Sequence, residues 1–449
     1  MVDKPRLRRH ADGSTSMVTL DGLTNVVANL GTSRDKAWST SYAAPLLSDQ
    51  AIVNAYRGSW LPRKIVDIPA YDSCRAWRAW QAQPEQVTAL EREEKRLAVK
   101  GKVLAARIEA RLLGGCALVI GTGDPDPAKP LNLETVRAGG IKYLTLVHKR
   151  QLSAMPVDTD AASPYFDRPA TWMLNGAGMV PQVFHASRLV IFHGTHIVDP
   201  AIMGGQTGWA DPVLYSVFDA IRNADATAQN IASLVFEAKV DTVGIPDLMS
   251  KLGDPGYEAT LLKRWALAET GKGINGTLMH DSEEILGQKQ AQFASLPAVL
   301  DGFMVLVSGA ADIPMTRLMG QSPAGMSATG ESDIRNYYDR ISAAQDLEME
   351  PAMRVLDECL IRSALGSRPI EVCAEWNSLW QSTERERFDI GKLQAEIIAA
   401  LHGTGIIPEE PLAEVAVAML SASGVMPGLQ QATADYFAAG TVPVGGVGP

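Results

Sequence analysis

The sequence predicts an α+β protein dominated by long helices, and three observations carry that prediction. Apolar residues recur at three- and four-residue steps over long stretches, most clearly 331–364. The stretch 141–200 instead alternates short apolar runs with polar turns (IKYLTLVH, ATWMLN, PQVFHASRLVIFHG), the period-two signature of strands. A chain of 449 residues, 46% of them hydrophobic, also has the material for two to four domains.

The best-specified element is the helix over 331–364. Thr329 is placed to cap its start, and Glu331 and Asp333 set negative charge against the positive end of the macrodipole. Ile334, Tyr338, Ile341, Leu347, Val355, Leu356, Cys359 and Leu360 recur at three- and four-residue steps and are expected to share one face. Pro351 lacks the donor for the carbonyl four residues earlier, so a kink is expected in a helix of about 50 Å. A second helix is expected over 286–310, and between the two lies 312–330, a helix-poor loop rich in Gly, Met and Ser.

The elements before these follow from local signals. Residues 1–45 are polar and turn-rich, a loosely ordered arm whose Lys4, Arg6, Arg8 and Arg9 suit either phosphate or simple solvation. Ser48 caps a helix that ends near Trp60, and Pro62 opens a second over 63–73. Residues 85–113 read as one helix by propensity, stopped by Gly114 and Gly115, after which CALVIGTG (116–123) is a buried strand. A long helix follows in 208–239, with Asp211 as cap and Pro212 in its first turn. Its small residues Ala224, Ala226, Ala228 and Ala232 permit close helix neighbours.

Further on, 240–246 reads as a strand and 248–281 as short helices with a strand, a compact insert between long helices. IEVCAEWNSLW (370–380) is a strand returning to the earlier domain. Two helices occupy 383–423, one closed by Gly403 and Gly405, the next opened by Pro408 with Glu409 and Glu410. The Gly-, Pro- and Ala-rich tail from 424 is expected to be mobile.

Charge and motif content exclude more than they assign. A net charge of −10 and a pI near 5.3 argue against a surface that grips duplex through Lys and Arg. The four cysteines show no C-x-x-C spacing, so a reducing compartment is expected, with neither zinc ribbon nor disulfide framework. The basic start has no apolar segment behind it, and no run approaches the roughly 20 residues that span a bilayer, so no membrane is expected. GKGING (271–276) spells G-x-G-x-x-G but sits between a helix-like and a strand-like segment, the reverse of a dinucleotide site, and reads as a turn. GGCALVIGTGDPDP lacks the Lys and Ser/Thr of a phosphate loop. His193 and His196 have no third ligand in view. No catalytic residue, metal or cofactor is expected. The loop at 312–330 offers Arg317, its one cation, with Met319, Gln321 and Ser322, and reads either as a connector or as a collar weakly touching a sliding polymer.

In its order of elements the chain resembles the portal proteins of tailed bacteriophages. NAYRGSWLPRKIVDIPAYDSCRAW, HASRLVIFHG ahead of GWADPVLYSVFDAIR, SGAADIPMTRLMG, the loop QSPAGMSATGESD and ERERFDIGKLQAEIIAALHGTGIIPEE carry the resemblance over roughly 46–423. It implies a homo-oligomeric ring of about twelve subunits at one capsid vertex of the virion, assembled in the host cytoplasm. Through it double-stranded DNA is packaged and ejected, with terminase, head–tail adaptor and major capsid protein as partners. Carried onto this chain, 46–210 and 365–382 are wing, 211–237 and 288–311 stem helices, 238–287 clip, 312–330 tunnel loop, 331–364 the long helix and 383–423 crown. The resemblance implies DNA-channel contact at Arg317, Met319, Gln321 and Ser322, and partner docking on the clip at Lys263, Arg264 and Lys272. The alternatives are another oligomeric phage connector or scaffold without a channel, or an enzyme of nucleic-acid metabolism whose site is assembled from dispersed residues.

Overall fold

The computed structural model describes residues 6–9, 15–18, 47–176, 178, 180–197, 208–236, 239–248, 255–271, 285–290, 295–320, 330–380, 384–405, 408–422 and 428–438. Within the expected loose arm, β1 (Arg6–Arg9) pairs antiparallel with β2 (Thr15–Val18), and the rest of residues 1–45 lies outside the described residues. Helix α1 (Asp49–Gly58) is capped as the sequence predicts, the Ser48 hydroxyl accepting from the Ala51 N–H at 3.2 Å.

Helix α2 (Trp60–Arg75) contains Pro69, which has no N–H to give the Ile65 carbonyl. Arg111 repairs the gap: its guanidinium donates to the Ile65 and Val66 carbonyls, each at 3.0 Å. Burial lowers the pKa of this arginine to about 10.

β3 (Arg78–Gln81) leads to α3 (Pro84–Leu97) and α4 (Val99–Leu113), a pair where one helix was expected. Ala98 breaks the run by adopting a left-handed conformation at φ 51°, while Leu97 and Val99 on either side are both buried. Packing outweighs the helix preference of alanine here. β4 (Gly115–Gly121) is buried throughout and lies between β5 (Tyr143–His148) and β9 (Leu189–His193), antiparallel to both. A second antiparallel sheet joins β6 (Leu152–Ala154), β7 (Thr171–Leu174) and β8 (Gln182–His185).

Period-two alternation makes β4 two-faced. Cys116, Leu118 and Ile120 enter a core with Leu90, Val103 and Phe192, whereas Ala117 and Val119 meet Leu152, Trp172 and Phe184 of the second sheet.

Helix α5 spans Leu214–Phe236. Asp211 does not cap it; its backbone exchanges two hydrogen bonds with Thr195 at 2.8 and 3.0 Å, pinning the approach to α5 beside β9. Beyond α5 come β10 (Lys239–Gly244), α6 (Pro255–Gly271) and β11 (Ile285–Gln290). The expected helix from 286 is corrected: its first residues form β11, antiparallel to β10, and helix α7 runs only Leu296–Ala311, with Pro297 in its first turn. α7 lies against α5, with Val217, Ile221, Ala224 and Val307 in one buried cluster.

The short α8 (Met315–Met319) precedes the long helix. That helix is α9 (Glu331–Ala344), a π-helical turn (Gln345–Met349) and α10 (Glu350–Leu365). The expected cap, Thr329, lies outside the described residues, and Gly330 holds the N-cap position at φ 61°. The expected interruption at Pro351 is the π turn, which lies where the proline leaves the Leu347 carbonyl without its usual donor. β12 (Cys373–Trp376) then pairs antiparallel with β3, joining chain positions nearly 300 residues apart. α11 (Glu384–Thr404) and α12 (Glu409–Ala422) follow, and α13 (Leu429–Ala438) is helical where a mobile tail was expected. Among the described residues no helix is long and apolar enough to cross a membrane.

Candidate functional site

The segment after α7 is a tied knot rather than a free loop. Asp312 closes α7 in the left-handed region at φ 55°, its N–H directed to the Gly309 and Ser308 carbonyls, while the Ser308 hydroxyl donates to the Ile313 carbonyl at 2.5 Å. Arg340 of α9 donates to the Asp312 carbonyl at 2.9 Å and pairs with its carboxylate at 2.6 Å. Pro314 starts α8 and Gly320 ends it at φ 74°, with Ile313 and Leu318 buried.

Arg317 is held at the centre of this knot. Its Nε and a terminal nitrogen donate to the two carboxylate oxygens of Asp72 at 3.0 and 2.7 Å, a bidentate pair on a fully buried acid of α2. The Tyr337 hydroxyl of α9 donates to the same carboxylate at 3.0 Å, and Arg75 approaches it at 3.7 Å. Hydrogen bonding to Asp72 raises the Arg317 pKa, and burial with the Asp72 charge raises that of Tyr337. Lys64 donates to the Leu318 carbonyl at 2.7 Å. Three elements distant in sequence thus meet on one carboxylate. The expectation that Arg317 offers a free cation to phosphate is corrected: its charge is already matched by Asp72. Nothing local in the sequence signals this, because the partner lies 245 residues away.

Of the other predicted residues, Met319 packs partly buried against the cluster of α1, α2, α5 and α7, while Gln321 and Ser322 lie outside the described residues. Lys263 and Arg264 are exposed on α6, with the Arg264 guanidinium 5.9 Å from the Trp265 ring centre; Lys272 lies outside the described residues. The G-x-G-x-x-G letters begin at the last residue of α6, and the remainder falls outside them too. Among the described residues no three His, Cys, Asp or Glu side chains group as metal ligands. Cys74, Cys116 and Cys359 are buried and burial raises each thiol pKa, that of Cys359 to about 12.

The described residues thus comprise an α+β body, a close pair of long helices and an anchored segment between α7 and α9. Residues 50–400 match the family model described as phage portal protein, and the chain belongs to that family. It is 36% identical over 435 residues to a Caulobacter sp. (strain RHG1) protein named Anti-CBASS protein Acb1, covering 94% of this chain and 69% of that one. A Sphingomonas paeninsulae protein of the same name is 38% identical, over 92% of this chain and 67% of its own length. Among solved structures, a chain in the neck of an empty gene transfer agent particle is similar at 12% identity, with a TM-score of 0.49, over 83% of this chain and 94% of that one.

Proposed function

We propose that the protein is the subunit of a portal ring at one vertex of a virion capsid, through which double-stranded DNA enters and leaves. Besides family membership, one observation carries this reading: the helices leave large apolar side chains in water. Leu306 on α7 is 64% exposed and Val305 56%, and on α11 Ile390, Leu393, Ile397 and Leu401 form an exposed stripe at three- and four-residue spacing. A stripe of that size on a lone subunit is an unfilled contact, and identical neighbours in a ring cover it.

In this reading α5 and α7 are the stem, residues 238–287 the clip, and the segment between α7 and α9 the tunnel loop. Arg317 anchors the root of that loop, leaving Met319, Gln321 and Ser322 as the DNA-facing candidates. Lys263 and Arg264 are docking residues for terminase and then the adaptor, and the body borders the major capsid protein. Negative-stain images of the purified protein test the proposal. Rings of about twelve subunits with a central hole support it, and compact monomers or dimers overturn it.

A further inference from the structure

Helix α2 has two unlike sides. Leu61, Ile65, Val66 and Ala70 are buried. On the opposite side Trp60, Arg63, Lys64, Asp67, Ile68 and Tyr71, with Arg317 of α8, line an open cleft of about 310 Å³. Its aromatic walls are half in water, Trp60 at 49% and Tyr71 at 51%. Cations dominate its rim: Lys64 is held by the Leu318 carbonyl and sits 5.3 Å from the Trp60 ring centre, and Arg63 lies 3.6 Å from Asp67. An apolar pocket with a basic rim suits an aliphatic side chain flanked by carboxylates.

The long helix presents such a group. At the π turn Leu347 stands 78% exposed, while Gln345 and Met349 turn inward. Ala343 and Pro351 extend the apolar ridge one turn either way, and Asp346, Glu348 and Glu350 border it, all exposed. Only Glu348 of these carboxylates has an ion-pair partner within the described residues, Arg107 at 3.0 Å.

The geometry points to a contact between copies in which Leu347 of one subunit seats in the α2 cleft of the next, its flanking carboxylates against Arg63 and Lys64. The two patches are complementary rather than alike, so the contact is heterologous, the kind that closes a ring. It deepens the ring reading by naming a seat and rests on it.

Paired cysteines test it, in a Cys373→Ser background because Cys373 is exposed. A chain carrying Tyr71→Cys and Leu347→Cys, oxidised after assembly, is expected to give a ladder of covalent multimers on a non-reducing gel, with no more than dimers from either single substitution. Rings that give no ladder overturn this contact and leave the ring standing. Unmodified protein that forms no ring overturns both. In parallel, Arg63→Glu and Glu350→Arg are each expected to raise the concentration for half-assembly about tenfold, and the double variant to recover most of that loss. Losses that simply add overturn the pairing.

Discussion

The body around β4 and the helices α5, α7 and α11 treat their side chains in opposite ways. Around β4 the large apolar residues Leu118, Ile120, Leu144, Val190 and Phe192 are enclosed, and even charges are drawn inside and matched. Arg78, only 3% exposed, lies between Asp357 and Glu94 while Trp77 and Trp80 flank its guanidinium at 5.4 and 5.2 Å. Glu93 accepts two hydrogen bonds from Arg96 at 2.7 Å and one from the Ser363 hydroxyl at 2.6 Å. The helices instead keep apolar residues such as Leu306 and Leu393 in water. The difference teaches that the core around β4 closes within the single chain, whereas α7 and α11 leave apolar faces open.

Substitutions in the two regions are therefore expected to part company. Phe192→Ala empties a fully enclosed site beside β4 and should cost about 3–5 kcal/mol in urea unfolding; a loss below about 1 kcal/mol would break the contrast. Asp357→Ala leaves Arg78 buried with Glu94 alone and should cost about 3 kcal/mol, and Arg78→Met should also destabilise because it strands the Asp357 and Glu94 carboxylates.

The pH dependence sharpens the point. The hydrogen bonds from Arg96, with that from Ser363, hold the Glu93 carboxyl below its usual 4.5, so its stabilisation is present above that value and lost as pH falls through the depressed one. Glu94 and Asp357 act in the other direction, since burial raises both despite Arg78. Melting temperatures followed from neutral to about pH 3 should accordingly fall less steeply for Glu93→Gln than for the unmodified chain. The smallest effect on stability is expected on α11: Ile397→Gln should change unfolding by less than about 0.5 kcal/mol yet weaken assembly measured by light scattering.

What the sequence made legible was local or periodic. The Ser48 cap, the buried strand after Gly115 and the return strand at Cys373–Trp376 all follow from residue type and spacing. What it concealed was settled by distant packing. Ala98 looks like mid-helix and is a break; the polar Gln288–Gln290 looks helical until β10 is set beside it. Arg317 looks free until Asp72 closes on it.

One close approach governs how the body and α5 can move. Gly114, at φ 90°, has no room for a side chain: a Cβ there would stand 2.0 Å from the Ala210 carbonyl oxygen, and one on Gly194 would stand 2.3 Å from that of Asp211. With the Thr195–Asp211 bridge this leaves α5 no pivot at its foot. A displacement of the foot of α5 would therefore press directly on the end of the β4 sheet.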